Sequence, residues 1–73
     1  MSESLFEKGV YRQMLEHAAA VRAAEKYWHD TDFGGTWTQL KWARLAMDAD
    51  AKWYAERWLS SEDAAAIRDE VTA

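Results

Sequence analysis

The chain has 73 residues, a formal net charge of −4 and no cysteine. A chain of this length forms one small domain, here residues 1–73, and buries only about 60% of its unfolded surface. Disulfides and thiolate metal sites are excluded, so stability has to come from helix packing, self-association or a partner. The acidic balance argues against a nucleic-acid partner.

The sequence also bears on location. Its first residues include glutamates where a signal peptide needs basic residues. No uncharged apolar run reaches the roughly 18 residues that a membrane span requires. We therefore expect a cytoplasmic protein with no membrane partner.

The first predicted helix runs from about residue 5 to about residue 29. Ser4 and Glu7 fit a capping box at its start. At about 100° per residue, its apolar side chains fall within one stripe about 80° wide, which indicates an amphipathic helix with one buried face. This first-helix stripe comprises Phe6, Val10, Met14, His17, Val21, Ala24 and Trp28, with Tyr11 and Ala18 along one edge. We predict that the stripe is the core side of the helix and that His17 is a packed residue.

A break at residues 30–35, DTDFGG, separates this helix from a second one predicted at about residues 37–59. Thr36 and Gln39 fit a second capping box, of the T-x-x-Q form. A short connector between two helices of similar length favours an antiparallel hairpin.

A third start signal follows at Ser60, where serines precede acidic residues. It predicts a short C-terminal helix at about residues 62–71, with a modest apolar face of Ala64, Ile67 and Val71. The predicted fold class is all-α, an antiparallel hairpin of two long helices plus a short third helix in a small bundle.

The second helix carries four of the five tryptophans and is apolar on two sides. One side is predicted to be core and holds Trp37, Leu40, Met47, Ala51, Tyr54 and Trp58. The opposite side has large aromatic residues at its ends and alanines between them, so another helix can approach closely. We predict that this side binds a partner and call it the outer Trp face, comprising Trp42, Ala46, Ala49, Asp50, Trp53 and Arg57.

A two-helix hairpin covers only one side of the second helix, so three arrangements compete for the outer Trp face. The C-terminal helix folds back over it, a second copy of the chain covers it in a homodimer, or it is left open for a different protein.

No residue pattern indicates catalysis, a cofactor or a metal. Residues 30–41 can be aligned with a calcium-binding EF-hand loop, but Gly34 replaces an acidic ligand and Lys41 stands where a bidentate glutamate is required. We find no nucleophile with a base, no phosphate-binding loop and no paired carboxylates at a cleft. We therefore expect a protein that is not an enzyme.

The favoured function is that of a small regulatory or accessory protein acting by protein–protein contact. Adaptors and stoichiometric inhibitors, including those of phages and mobile elements, are often small, acidic and free of catalytic motifs. One alternative is a structural homo-oligomer with no separate partner. A second is a weak single-stranded nucleic-acid binder, because Lys41, Lys52 and Arg57 each precede a tryptophan.

Overall fold

The described residues of the computed structural model are 4–31 and 35–72, and they form three helices. These are α1 (Ser4–Thr31), α2 (Thr36–Trp58) and α3 (Ser61–Thr72). Each end lies within two residues of its predicted position, and the described residues contain no strand, so the predicted all-α fold class is confirmed. None of the three helices in the described ranges combines the length and the apolar content that a membrane span needs.

Helices α1 and α2 pack as an antiparallel hairpin. Near the connector, the rings of His29 and Trp37 have centroids 4.9 Å apart. Further along, Arg22 Nη2 donates to Asp48 Oδ1 at 3.2 Å. Residue numbers therefore fall along α1 as they rise along α2, which confirms the predicted hairpin.

The three predicted caps have different outcomes. The backbone N–H of Asp63 donates to Ser60 Oγ at 3.1 Å, so the third cap is confirmed. The capping box at Thr36 is wrong: Gly35 is the N-cap of α2, with φ −93° and ψ −6°, and among the described residues no side-chain cap hydrogen bond is formed there. The helical backbone of Gly35 leaves Thr36 already inside the first turn. The first box depends on the side chain of Ser4, which lies outside the described part, as do residues 32–34 of the connector.

Helix α3 packs mainly on α1 and touches α2 little. Three side-chain contacts hold it there: Lys8 with Asp63 at 3.7 Å, Arg12 with Glu70, and Arg68 Nη1 donating to the Tyr11 hydroxyl at 3.1 Å. All three α1 residues lie within about 100° of one another on the helix.

The core is small and rich in alanine. The buried apolar residues of the described chain are Tyr11, Ala18, Ala51, Ala55, Ala64 and Ile67. Only two of these side chains, Tyr11 and Ile67, are large. Far more large apolar side chains are exposed, namely Leu5, Phe6, Tyr27, Trp28, Trp42, Leu45, Trp53 and Trp58.

The buried face of α1 differs from the predicted one. Tyr11 and Ala18, expected at the edge of the first-helix stripe, are buried, whereas Phe6, His17 and Trp28 are exposed. The buried face is rotated by about 90° from the centre of the stripe. The physical reason is that α3 packs beside Tyr11, so α1 has to serve two neighbouring helices.

The buried face of α2 is rotated as well. Ala51 and Ala55 are its buried residues, and Trp58, predicted as core, is 51% exposed. Trp58 is the last residue of α2, and its ring lies 6.5 Å from that of Tyr54 and 5.2 Å from the Arg57 guanidinium. The placement of Trp58 in the core is therefore wrong.

Candidate protein interface

The outer Trp face is exposed along its whole length. Trp42 is 64% exposed and Trp53 is 61% exposed, and the other four members, Ala46, Ala49, Asp50 and Arg57, are exposed too. The arrangement in which the C-terminal helix folds over this face is wrong, because α3 packs on α1 instead. The other two arrangements, a second copy or a different protein, stay as predictions.

The geometry of this face suits contact with a helix. Trp42 and Trp53 are separated by eleven residues, which is about 17 Å or three helical turns at about 1.5 Å per residue. Ala46 and Ala49 lie between them and present little side-chain bulk. The face is therefore a shallow depression, lined by alanines, between two large aromatic side chains.

Sequence reasoning missed one member of this surface. Leu45 is 40% exposed and lies three residues after Trp42 and four before Ala49, so it shares their side of the helix. That spacing was the signal that could have identified it. Leu45 extends the apolar surface toward the side of α2 that faces α3.

Two members of the outer Trp face, Asp50 and Arg57, are charged and lie along one edge of it. Arg57 lies against the Trp58 ring and forms no ion pair within the described residues. Asp50 makes no ion pair with any other residue of the described chain. Both charges are exposed, so they are available to a partner.

Of the three basic residues that precede a tryptophan, Arg57 belongs to the outer Trp face, whereas Lys41 and Lys52 do not line it. Lys41 Nζ lies 5.5 Å from the centroid of the Trp37 ring, on another side of α2. Lys52 lines a groove between α2 and α3. A cation beside each exposed tryptophan, as single-strand binding requires, is therefore missing at Trp42 within the described structure.

The groove between α2 and α3 was not anticipated from the sequence. Its volume is ≈ 1050 Å³, and its floor is largely apolar, with Leu15, Ala51, Ala55, Leu59 and Val71 among the residues that line it. The groove exists because α3 packs mainly on α1, so the side of α2 that faces α3 stays largely uncovered. No local pattern reports such a groove, since it depends on the placement of α3.

The rim of the groove carries both signs of charge. Lys52 and Glu56 line it on the α2 side, and Arg68 lines it on the α3 side. Glu56 lies within about 60° of Trp53 on the helical wheel, so the groove and the outer Trp face are neighbours along α2. Apolar floors with mixed charged rims are typical of sites that bind protein segments.

A charged network crosses the α1–α2 interface at the other end of the groove. Arg44 Nε donates to Glu25 Oε1 at 2.5 Å, and Arg44 Nη1 lies 3.6 Å from Asp48 Oδ2. The hydrogen bond from Arg44 lowers the pKa of Glu25, and the same bond raises the pKa of Arg44. Both groups stay charged at neutral pH, so the network orders the interface and offers no general acid or base.

The titratable groups do not form a metal site in the described residues, where no set of three or more His, Asp or Glu side chains is placed to hold an ion. Residues 32 and 34 of the EF-hand alignment lie outside that part of the chain.

No protein family, curated protein or solved structure matched the chain. The functional conclusion therefore rests on the exposure, spacing and charge of the residues described above.

Proposed function

We propose that this chain is a small accessory protein that binds another protein through the outer Trp face, as an adaptor or stoichiometric inhibitor without chemistry of its own. The observation that supports the proposal is the exposure of Trp42 and Trp53 on one side of a regular helix. Solvation of two indole rings is unfavourable, and contact with a partner removes both from water.

The composition of the face fits an interface centre. Tryptophan and arginine are among the residue types most enriched in the residues that dominate binding energies, whereas lysine, glutamate, aspartate and alanine are depleted in interfaces. The fit therefore rests on the two tryptophans and the arginine of the outer Trp face, and not on its two alanines and one aspartate. Its two alanines let a partner helix approach closely between the rings.

The neighbouring charges supply orientation. Asp50 and Arg57 lie seven residues apart on the same edge of the face, with opposite signs. A partner with a basic residue opposite Asp50 and an acidic residue opposite Arg57 is favoured in one direction only. The groove beside the face gives the same partner room to place further apolar side chains on Leu59 and Val71.

The test is affinity capture from the native host with three versions of the chain. The wild-type protein and Tyr27→Glu, which places a charge at an exposed aromatic residue of α1, should retain the same protein. Trp42→Glu combined with Trp53→Glu should lose it, with unchanged helicity by circular dichroism. Equal capture by all three versions would contradict the assignment of the face.

Two alternatives make different predictions for the same residues. If the face binds single-stranded nucleic acid, oligonucleotides at low salt should quench tryptophan fluorescence in the wild type but not in the double variant. If a second copy covers the face, the double variant should be a monomer where the wild type is a dimer. We expect neither result.

A further inference from the structure

The side of the hairpin away from α3 is apolar. It combines the first-helix stripe of α1 with three residues of the predicted core side of α2. Met14, Val21 and Trp28 are spaced by sevens on α1, and Leu40, Met47 and Tyr54 are spaced by sevens on α2. All six are only half-buried or exposed in the single chain. With Phe6, Val10, His17 and Ala24 they form what we call the open flank.

The antiparallel register brings these residues to matching heights. Arg22 meets Asp48, and Glu25 meets Arg44. Extending that register along both helices puts Val21 level with Met47. The same register pairs Met14 with Tyr54 and Trp28 with Leu40. The open flank is therefore a row of three apolar layers, each with one residue from either helix.

The ten residues of the open flank include no Asp, Glu, Lys or Arg. Charge begins at its edge, because burial and then the nearby carboxylate of Glu7 raise the pKa of the Tyr54 hydroxyl. An apolar row with charge at its edge is typical of an interface, whose centre is depleted in charged residues. Apolar repeats of seven residues on both helices are the spacing of seams between packed helices.

The exposed area of the chain points to the same conclusion. Its accessible surface is 5424 Å², whereas a compact monomer of 8.4 kDa is expected to expose about 4600 Å². Its radius of gyration is 14.1 Å, against about 11 Å for a compact domain of this length. The excess area of about 800 Å² belongs to the whole chain, including the outer Trp face and the groove, and it equals what one partner buries in an interface of standard size.

We propose that a second copy of the chain covers the open flank, so that two α1–α2 hairpins form a twofold-symmetric four-helix bundle. A twofold axis places the same apolar row on itself, so that the equally spaced layers of one copy can pack against those of the other. Both outer Trp faces and both grooves then point outward. The inference goes beyond the proposed function, because it makes the protein a dimer with two partner sites.

The first test is the mass of the protein in solution, by sedimentation equilibrium over a range of concentrations. The wild type should have twice the mass of the chain. Val21→Glu places a carboxylate in the middle layer and should shift the protein to monomer, with helicity retained. The control Ala49→Glu, an exposed alanine of the outer Trp face, should remain a dimer.

A second measurement keeps the proposal testable if Val21→Glu unfolds. Because the chain has no cysteine, a single introduced thiol reports its own accessibility. In His17→Cys, alkylation should be about tenfold slower once about nine-tenths of the chain is dimeric, and should recover on dilution. In Ala49→Cys, the alkylation rate should not change with concentration.

Two results would overturn the proposal. One is a wild-type mass equal to a single chain at every concentration. The other is protection of the thiol in Ala49→Cys but not in His17→Cys, which would assign the dimer to the outer Trp face. Failure of this inference is distinguishable from failure of the proposed function, since a wild-type protein that is a monomer at every concentration and still captures its partner contradicts only the dimer.

Discussion

Arg44 of α2 and Glu25 of α1 form a hydrogen-bonded ion pair across the helix interface, with 24% and 15% of their side chains exposed. On α2, Arg44 lies on the same side as Leu40, Met47 and Ala51. The interface therefore has a polar segment near the connector, beyond the alanine-rich core. Breaking such a pair by removing one member leaves the other without its partner in a half-buried position.

This pair predicts a pH-dependent stability difference. The pKa of Glu25 is lowered in the fold from its ordinary value of 4.5, first of all by the hydrogen bond from Arg44. A lowered pKa contributes stability above the unfolded value and loses it as the pH falls through the folded value. Glu25→Gln should therefore destabilise the protein at about pH 7 and have a smaller effect at about pH 3, measured by urea unfolding.

Arg44→Met serves as the control for that experiment. In the Arg44→Met background, the stability difference between Glu25 and a glutamine at the same position should depend less on pH, because the main group that lowers the pKa of Glu25 is gone while Lys41 and His29 remain. A stability difference between wild type and Glu25→Gln that is the same at both pH values would contradict the assignment.

The docking of α3 predicts a large effect at Ile67. This residue is buried in the core cluster with Tyr11 and Ala64, and removing a buried isoleucine side chain typically costs about 2–5 kcal/mol. Ile67→Ala should lower the free energy of unfolding by that amount or unfold the protein, which thermal unfolding by circular dichroism will detect.

Two exposed tryptophans are the controls for Ile67. Trp42→Ala and Trp58→Ala each remove a larger side chain, yet both should cost less than Ile67→Ala, because each ring is more than half exposed. Of the two, Trp58→Ala should cost more, since it also removes the contacts with Tyr54 and Arg57. A loss at Trp42 as large as that at Ile67 would place Trp42 in a core.

The hydroxyl of Tyr11 predicts a smaller effect. It accepts a hydrogen bond from Arg68 at 3.1 Å, while the ring is 2% exposed. Tyr11→Phe keeps the ring and removes only this bond, so a loss of about 0.5–1.5 kcal/mol is expected in urea unfolding. Arg68→Met should give a similar loss, and the two should not add in the double variant, because they remove the same bond.

A glycine inside α1 predicts a gain in stability. Gly9 has helical backbone, and a methyl group added there would meet nothing within 4 Å. Gly9→Ala should raise the free energy of unfolding by about 0.5–1 kcal/mol, because alanine loses less backbone entropy in a helix. Gly35→Ala is the matched control and should gain less, since the N-cap position favours glycine over alanine. Equal gains at the two sites would contradict this reasoning.

The helices and their order were predictable because their signals are local. Apolar periodicity, the glycines before Thr36 and the serine at position 60 each depend on a few neighbouring residues. The outer Trp face was also identified in advance, since Trp42 and Trp53 lie opposite Leu40 on the helical wheel. Whether it binds a partner stays a prediction.

The buried faces were not predictable in the same way. The sequence pattern favoured Met14 and Val21 over Tyr11 and Ala18, because it treats each helix as having one neighbour. The approach of α3 to Tyr11 is a contact between residues far apart in the chain. The exposure of Trp58 and the groove between α2 and α3 depend on the same contact.

Four of the six buried apolar residues of the described chain are alanines, and this has a consequence for the lifetime of the protein in the cell. Each buried alanine removes little apolar area from water, so a single copy has little free energy holding it folded. Binding stabilises the folded chain by a free energy that grows with the logarithm of the ratio of the partner's concentration to the dissociation constant. Proteases act on the unfolded fraction. An unbound copy should therefore be degraded faster than a bound one. The cellular concentration of this protein should then rise and fall with the concentration of its partners.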